Sequence, residues 1–402
     1  MGSRKGATRA LIMVEILALV VVLVFVVLQQ GRITKQDGTQ KTSQQNMQSV
    51  SSENGTSVPN EIGAGEKNTQ IENEKVVFSE QVMEKLSSMT LEEKVAQMFI
   101  ISPEMLTNIE QVNIAGNATA NAIATYPVGG LVYSDQNFLG KEQAKALLSK
   151  TQQYGMDRIG LPMFLAIEEV GGTEHSPLAT KVDYRVQSAP ADIKDVEAAE
   201  KTAGTIADYL TEIGITMNIL PFGDLVFSSD TANASILAAE SVATYGGKGI
   251  TTAVGVFPSA VGKKNFASWK ETDALVFKAV ANAGCNSIVV GNVLYKELTG
   301  NDTTICSMSP NVVQYIREDM GFEGIIMTDS LSEEAVTLNY SPKEAAVEAV
   351  QAGVNMLCCP QNFEEAYQGI VDAVNNNEIK IEMIDESVGR ILTQKMSEMT
   401  QE

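Results

Sequence analysis

The sequence predicts an α/β fold, a (β/α)8 barrel of the TIM type, from three observations. Eight short apolar runs recur along residues 76–402, longer helical patterns separate them, and each run is apolar on both faces. Strands with two apolar faces are typical of parallel sheets that helices cover on both sides. Eight such strand–helix units in one domain fit a closed barrel.

The predicted strands are rich in Val, Ile, Leu and Met. They are Met98–Ile101, Gly130–Tyr133, Met163–Ile167, Thr216–Leu220, Thr252–Phe257, Ser287–Val290, Gly324–Thr328 and Asn355–Cys359. Helical spacing of apolar residues between them predicts helices over Lys141–Tyr154, Asp195–Ile213, Lys270–Ala283, Ser309–Met320 and Lys343–Ala352.

An open, doubly wound sheet is the alternative arrangement of alternating strands and helices. Such sheets commonly carry a glycine-rich dinucleotide fingerprint directly after the first strand. Here Ser102, Pro103 and Glu104 follow the first predicted strand. The missing fingerprint weakens this alternative, and the barrel remains the prediction.

The chain before the barrel divides into three predicted segments. Residues 1–10 form a basic stub, residues 11–28 an apolar run interrupted only by Glu15, and residues 29–75 a polar stretch poor in apolar side chains. Eighteen apolar residues approach the length needed to span a membrane. Positive charge before the run predicts a cytoplasmic N-terminus and a single-pass membrane protein whose C-terminal domain is extracytoplasmic.

A cleaved signal peptide is the alternative interpretation of residues 11–28. The run is long for the apolar region of a signal peptide, and no small-x-small cleavage site follows it. We therefore predict a transmembrane signal anchor, then a flexible linker over residues 29–75, then the barrel over residues 76–402.

Composition excludes several classes of function. Fifty acidic residues against 29 basic ones give a net charge of −21, which repels the phosphate backbone of nucleic acids. The chain has a single histidine and four cysteines without Cys-x-x-Cys spacing, so we predict neither a metal site nor a cofactor.

Two further expectations concern the cysteines. An extracytoplasmic domain permits a disulfide, and Cys285 and Cys306 are the candidate pair. Cys358 and Cys359 fall within the last predicted strand, where successive side chains point to opposite faces. We expect them to be two separate buried thiols rather than a bonded pair.

The C-terminal ends of the strands are where a barrel places its chemistry. Glu168 and Glu169 follow the third predicted strand, and Asp329 follows the seventh. Two carboxylates facing each other across a barrel mouth can hydrolyse glycosidic bonds, one as nucleophile or base and one as acid. Alternatively, strand-end acids are solvated or cap a following helix, as Asp329 could for a helix beginning near Ser330.

Four stretches of the chain carry a family resemblance, namely Met89–Met98, Pro127–Tyr133, Leu210–Pro221 and Ile316–Leu331. Together they resemble glycoside hydrolase family 3, in particular its single-domain bacterial β-N-acetylhexosaminidases. The resemblance covers essentially all of residues 80–395 and implies the catalytic barrel of that family. The family's seventh strand ends in the nucleophilic aspartate, whose position Asp329 takes within Thr-Asp-Ser-Leu.

Other positions depart from the family pattern. Glu168 replaces the aspartate that holds sugar hydroxyls, and Asn292 stands where relatives often have histidine. The lysine and histidine that grip the sugar after the fifth strand are absent from residues 255–261, and residues 262–269 lack the family's acid/base histidine. Arg317 matches a frequent family arginine, which we interpret as structural.

The resemblance therefore implies a site with one retained catalytic group. Asp329 is the predicted nucleophile, and Glu168, Glu169 and Asn292 are the predicted substrate-binding residues. Glu174 and His175 follow the third strand and are the candidate acid/base residues.

Two functions remain open from the sequence. The first is a membrane-anchored retaining glycosidase acting on amino-sugar glycans of the cell wall or muropeptide fragments. The second is a catalytically inactive relative that binds a glycan or an envelope protein through the altered mouth.

Overall fold

The computed structural model describes residues 76–222, 227–259 and 265–399, which lie within one unit of the chain that spans Asn73–Glu402. The stub, membrane segment and linker predicted over residues 1–10, 11–28 and 29–75 fall outside the described residues. In the part of the chain that is described, no helix combines the length and apolarity needed to cross a membrane.

Eight parallel strands form the centre of the described domain. They are β1 (Phe99–Ile101), β2 (Gly130–Val132), β3 (Phe164–Glu168), β4 (Met217–Leu220), β5 (Thr251–Phe257), β6 (Ser287–Val290), β7 (Ile325–Ser330) and β8 (Met356–Cys358).

Helices surround the strands. They are α1 (Glu80–Ser88), α2 (Leu91–Gln97), α3 (Pro103–Thr107), α4 (Asn117–Thr125), α5 (Lys141–Ile159), α6 (Pro177–Lys181), α7 (Val196–Ile213), α8 (Thr231–Gly247), α9 (Phe266–Glu271), α10 (Asp273–Asn282), α11 (Lys296–Thr299), α12 (Pro310–Gln314), α13 (Glu334–Thr337), α14 (Pro342–Gln351), α15 (Phe363–Asn375) and α16 (Ile381–Met399).

The strands close into a barrel in the order of the sequence. Each strand pairs in parallel with the next, and β8 pairs back with β1 through Phe99 and Leu357. The predicted closed barrel is confirmed, and the open-sheet alternative is wrong. The register of β7 against β8 shifts between Met327 and Ser330, which places Ser330 beside Cys358 at the C-terminal end of the barrel.

Several helices begin where the sequence offers side chains that satisfy free backbone N–H groups. Thr90 and Glu93 cap each other's backbone at the start of α2, and Ser341 and Glu344 do the same for α14. These reciprocal caps fix where each helix begins. Gly214 ends α7 with a φ of 98°, a left-handed conformation that glycine adopts without steric cost.

Two of the predicted helices differ from the structure. The helix expected over residues 270–283 is divided at Thr272 into α9 and α10, because Thr272 has non-helical backbone angles. The helix expected over residues 309–320 begins as α12 and continues as a π-helical turn over Tyr315–Asp319.

Arg317 lies in that π-helical turn and joins it to the strands. Its guanidinium donates hydrogen bonds of 2.7 Å to the backbone oxygens of Phe322 and Gly324 and to Oδ1 of Asn355. The same Asn355 oxygen accepts from the backbone N–H of Ile326 in β7. Arg317 therefore fixes the turn that leads into β7, as its interpretation as a structural residue requires.

A buried lysine lies at the opposite end of the barrel from the strand C-termini. Lys395 in α16 is fully buried, and its Nζ donates to Oε1 of Gln97 at 2.9 Å and lies 5.0 Å from the centre of the Phe164 ring. Burial lowers the pKa of Lys395 to about 7, against a smaller opposing effect of Glu398. The folded protein thus binds a proton at this side chain less readily than the unfolded chain does.

This difference predicts a pH dependence of stability. The pKa of Lys395 is lower in the folded state. Between pH 7 and the ordinary lysine value of 10.5, the folded chain therefore binds fewer protons at this side chain than the unfolded chain does. The free energy of unfolding should therefore rise with pH across that window, by roughly 3–5 kcal/mol from this group. Urea unfolding at several pH values measures it.

Lys395→Met is the matched variant for this measurement. This substitution removes the titrating amine and keeps an apolar side chain of similar length. It leaves Gln97 Oε1 without its hydrogen-bond donor, which lowers the free energy of unfolding by about 1–3 kcal/mol. The variant should be less dependent on pH than the parent protein between pH 7 and 10. Parallel curves for the two proteins would show that Lys395 is not responsible.

Candidate active site

The barrel mouth is the surface at the C-terminal ends of the strands, together with the loops that follow them. It brings together acidic side chains from strands that are distant in the sequence. Glu104 follows β1, Glu168 ends β3, Asp329 lies near the end of β7, and Glu333 follows β7. Because all the strands are parallel, their C-terminal ends meet at the same edge of the barrel.

Asp329 is held in an extended backbone rather than at the start of a helix. Strand β7 continues through Ser330, and the next helix begins only at Glu334. The alternative in which Asp329 caps a helix beginning near Ser330 is therefore wrong. The side chain is half-buried, and its Oδ1 accepts from the backbone N–H of Ser330 at 2.8 Å.

Glu168 and His175 form the second element of the mouth. His175 Nδ1 lies 2.6 Å from Glu168 Oε1, and the two side chains keep 34% and 43% of their surface exposed. A carboxylate that accepts a hydrogen bond from one ring nitrogen orients the imidazole. The other nitrogen, Nε2, is then available to exchange a proton with a ligand. Glu174, the other candidate acid/base residue, is exposed on the same loop.

The loop between Glu168 and His175 is shaped by a glycine pair. The backbone N–H of Val170 donates to the carbonyl of His175 at 2.9 Å, which closes the loop on itself. Gly171 has a φ of 94°, and a Cβ there would lie 2.1 Å from the carbonyl oxygen of Ser188. Only glycine fits this position, so the turn that returns His175 to Glu168 depends on Gly171.

Glu169 lies in the interior instead of at the mouth. It is fully buried, and its carboxylate accepts from the hydroxyl of Tyr209 at 2.7 Å and from the backbone N–H of Leu178 at 2.9 Å. Burial raises the pKa of Glu169, and these hydrogen bonds oppose the rise. This carboxylate has no exposed surface to offer a sugar, in contrast to the substrate-binding role that we predicted for it.

Asn292 follows β6 and is tied to the segment after Asp329. Its Nδ2 donates to the backbone oxygen of Ser330 at 2.8 Å and to Glu333 Oε2 at 3.0 Å, while its Oδ1 accepts from Ser307. Asn292 is only 4% exposed. These contacts position the end of β7, whereas we predicted that Asn292 contacts the substrate.

One cysteine expectation is wrong, and the other is correct only in part. Cys285 and Cys306 are both free thiols, so the candidate disulfide is not formed. Strand β8 ends at Cys358, and Cys359 has a φ of 40°, so the pair does not alternate across a strand. Both thiols are free, as expected, but they are half-buried rather than fully buried, and the Cys359 thiol donates to the carbonyl oxygen of Ile100 at 3.9 Å.

Sequence reasoning missed two contributors to the mouth. Glu333 accepts a hydrogen bond from Asn292, and its negative charge contributes to raising the pKa of the Cys358 thiol. Glu104 accepts hydrogen bonds from Asn137 at 2.6 Å and from the backbone N–H of Val112. Its negative charge acts to raise the pKa of the Cys359 thiol. Glu104 could have been found from the sequence, because it comes shortly after a predicted strand. Glu333 lies in a loop, where no sequence pattern marks it as a site residue.

The side chains at the mouth suit acid–base and nucleophilic chemistry. Over residues 76–222, 227–259 and 265–399, no three or more His, Cys, Asp or Glu side chains are grouped to hold a metal ion. Asp329 offers a carboxylate, and the Glu168–His175 pair offers an oriented imidazole. Trp269 is 1% exposed and packs among Phe257, Phe266 and other rings, so it does not form a sugar-stacking surface.

Comparison with known proteins gives consistent results. The family described as glycosyl hydrolase family 3 N terminal domain matches residues 90–394. Beta-hexosaminidase A of Pseudoalteromonas piscicida is 21% identical over 319 residues, which cover 67% of this chain and 53% of that protein. A beta-hexosaminidase of Photobacterium profundum is 24% identical over 289 residues, covering 63% of this chain and 81% of that protein.

A solved structure shares the fold. The glycoside hydrolase family 3 beta-N-acetylglucosaminidase from Paenibacillus sp. str. FPU-7 superposes with a TM-score of 0.71 at 22% identity, covering 78% of this chain and 64% of that one. The chain spans about half the length of the Pseudoalteromonas relative, at 53%.

Proposed function

This chain belongs to glycosyl hydrolase family 3, and from that premise we propose that it is a retaining glycosidase of the β-N-acetylhexosaminidase type. In this proposal Asp329 is the nucleophile and His175, oriented by Glu168, is the general acid/base. Glu168 also lies close enough to the mouth to hold a sugar hydroxyl with its second oxygen.

The observation that carries the proposal is the 2.6 Å contact between His175 and Glu168 at the mouth that also contains Asp329. A glycosidase needs a nucleophile and a separate group that protonates the departing oxygen. The family position for that second group, within residues 262–269, lacks a histidine. The loop after β3 supplies an imidazole that is partly exposed and already oriented.

The first chemical step forms a glycosyl-enzyme. Asp329 attacks the anomeric carbon while the Nε2 proton of His175 passes to the glycosidic oxygen, so the aglycone leaves as a neutral alcohol. The Glu168 carboxylate accepts from Nδ1–H, which orients the ring so that Nε2 carries the proton that is transferred.

The second step returns the enzyme to its starting state. His175, now neutral, removes a proton from a water molecule that attacks the anomeric carbon, and the bond to Asp329 breaks. Two displacements at the same carbon give overall retention of configuration.

The names of the relatives support a substrate class for this proposal. Proteins of similar sequence are named beta-hexosaminidases, which supports a terminal β-linked N-acetylamino sugar as the substrate. Cell-wall glycans and muropeptide fragments present such sugars. The mouth lacks the family's lysine and histidine after β5, so fewer charged groups hold the sugar, and each absent bond removes roughly 1.5–3 kcal/mol of binding.

Hydrolysis of p-nitrophenyl N-acetyl-β-glucosaminide by the full chain tests the proposed reaction. We expect release of nitrophenol, with the β anomer of the sugar as the first product by NMR. Release of the α anomer would contradict a retaining mechanism. A folded protein, by circular dichroism, that releases nothing from a panel of aryl glycosides would instead support a binding protein without catalytic activity.

We further propose that residues 11–28 anchor the protein in the cell membrane, with the barrel on the extracytoplasmic side. The apolar run and the basic residues before it support this topology. The full chain should remain in alkali-washed membranes, and external protease should reach the barrel in intact cells. Recovery of the full chain in the cytosolic fraction would contradict the anchor.

A further inference from the structure

Glu169, directly after β3, is a buried carboxylate that the proposed mechanism does not use. It is 0% exposed, although the adjacent Glu168 reaches the mouth. Its two carboxylate oxygens have separate partners. Oε1 accepts from the hydroxyl of Tyr209 in α7 at 2.7 Å, and Oε2 accepts from the backbone N–H of Leu178 at 2.9 Å. Taking a carboxylate out of water costs free energy that such donors offset, so these contacts determine where the side chain lies.

The backbone of Glu169 is fixed to the neighbouring strand. Its N–H donates to Oδ1 of Asn218 in β4 at 3.0 Å, and its carbonyl accepts from Nδ2 of the same asparagine at 2.8 Å. Asn218 is itself fully buried. Because both main-chain groups of Glu169 are bound to β4, this residue belongs to the barrel wall rather than to the loop that follows it.

The N–H of Leu178 belongs to the first turn of α6, which the N-cap residue of that helix leaves open. Ser176 occupies the N-cap position without a side-chain hydrogen bond to the helix, and Pro177 has no N–H to donate. An N–H in the first turn of a helix needs an acceptor from outside the helix. The Glu169 carboxylate supplies that acceptor and holds the start of α6 against the end of β3.

His175 lies on the loop between Glu169 and Leu178. The backbone N–H of Val170, directly after Glu169, donates to the carbonyl of His175 at 2.9 Å. The loop is therefore held at both ends by one buried residue, and from it the imidazole of His175 reaches Glu168 at 2.6 Å. A side chain on a loop that is anchored in this way is placed more precisely than one on a loop with a free end.

We propose that Glu169 is a positioning residue for the reaction, which holds the loop after β3 so that His175 contacts Glu168. This inference rests on the proposed function, in which His175 is the general acid/base. Glu169 does not touch the substrate, and its effect passes through the Leu178 N–H and the loop. Displacing a catalytic group by about 1 Å can cost about 10²-fold in rate, so loss of the Leu178 contact should lower kcat more than it changes KM.

NMR of the imidazole tests the placement of His175 without any need for turnover. The chain contains a single histidine, so labelling histidine with ¹⁵N reports on His175 alone. The full chain is prepared in detergent without a polyhistidine tag, and both ring nitrogens are observed at a pH where the ring is neutral. In the parent protein we expect the proton on Nδ1, because the Glu168 carboxylate accepts it. When the ring leaves Glu168, the Nε2–H form should increase.

Glu169→Met is the test variant, because methionine has a similar length and offers no oxygen to either donor. We expect the Nε2–H form to predominate in this variant, and kcat for alkyl glycosides to fall by about 10²-fold. Glu169→Gln should retain most of the Nδ1–H form and of kcat. Its amide oxygen can accept from Leu178 N–H while its NH₂ donates to the Tyr209 oxygen.

Glu398→Met is the matched control. Glu398 is a half-buried carboxylate that accepts from the hydroxyl of Thr251, at the end of the barrel opposite the mouth. This variant should keep the imidazole of the parent protein. Parent-like Nδ1–H populations in Glu169→Met, or equal losses in Glu398→Met, would overturn the proposal.

Tyr209→Phe decides the question if circular dichroism shows that Glu169→Met does not fold. This variant removes one donor to Glu169 and keeps the ring that stacks on Tyr184. The Nε2–H form should again increase, and a ratio equal to that of the parent protein would overturn the proposal. A chain that hydrolyses no glycoside but shows these changes would remove the proposed function and leave the placement of His175 by Glu169 intact.

Discussion

Replacing Asp329 with asparagine is expected to reduce kcat/KM for p-nitrophenyl N-acetyl-β-glucosaminide by about 10³-fold or more. The amide cannot form the glycosyl-enzyme, and removal of a covalent nucleophile has cost other enzymes up to about 10⁶-fold in kcat. The amide oxygen can still accept from the backbone N–H of Ser330, which now bonds to Asp329 Oδ1 at 2.8 Å. The fold should therefore persist, and circular dichroism with steady-state kinetics measures both effects.

The matched control for Asp329→Asn is Glu334→Gln. Glu334 is an exposed carboxylate at the start of α13, and we place it outside the catalytic site. This variant also removes one negative charge near the mouth, and its activity should equal that of the parent protein. Activity retained by Asp329→Asn, or lost equally in both variants, would remove Asp329 from the mechanism.

Replacing His175 with alanine is expected to lower kcat/KM by about 10²–10⁴-fold for a substrate whose leaving group is an alcohol. The loss should be much smaller for a 2,4-dinitrophenyl glycoside, because that leaving group departs without a proton. The dependence of rate on leaving-group acidity should therefore become steeper in His175→Ala. Steady-state kinetics on a series of aryl glycosides measures the change.

Glu174→Gln is the matched control for the histidine, since Glu174 lies beside it on the same loop and is the other candidate acid. We expect this variant to retain activity with every leaving group. If Glu174→Gln shows the steeper dependence and His175→Ala does not, the acid is Glu174. Azide should not restore His175→Ala on alcohol-leaving substrates, since the first step remains slow.

Much of the fold is predictable from the sequence, because each strand is an apolar run short enough to be recognised. The run Ser287–Val290 matches β6. Strand β7 extends to Ser330, past the predicted end at Thr328, because Ser330 still pairs with Cys358. Polar residues at a barrel mouth can remain in the strand, and an apolar pattern alone cannot show this.

The site is less predictable, because adjacent residues at a strand end point in different directions. Glu168 and Glu169 are both acidic, so composition does not indicate which one reaches the mouth. The structure separates them through contacts that are distant in the chain. Glu169 meets Tyr209 of α7 in the interior, while Glu168 meets His175 across a turn that Gly171 permits.

The side-chain directions of Cys358 and Cys359 are likewise not predictable from the local sequence. The strand pattern predicts alternating faces, but the chain leaves β8 at Cys358 and turns into a left-handed conformation at Cys359. That turn depends on where pairing with β7 and β1 ends, which the local sequence does not encode.

Trapping of the glycosyl-enzyme is the measurement that tests the central claim most directly. A fluorinated N-acetyl-β-glucosaminyl fluoride, which forms the intermediate faster than the intermediate hydrolyses, is incubated with the full chain, and the labelled peptide is sequenced by mass spectrometry. We predict one sugar per protein, bound through an ester to Asp329 and absent from Asp329→Asn. A label on Glu168 or Glu333, or turnover of the reagent with no label, would contradict the account.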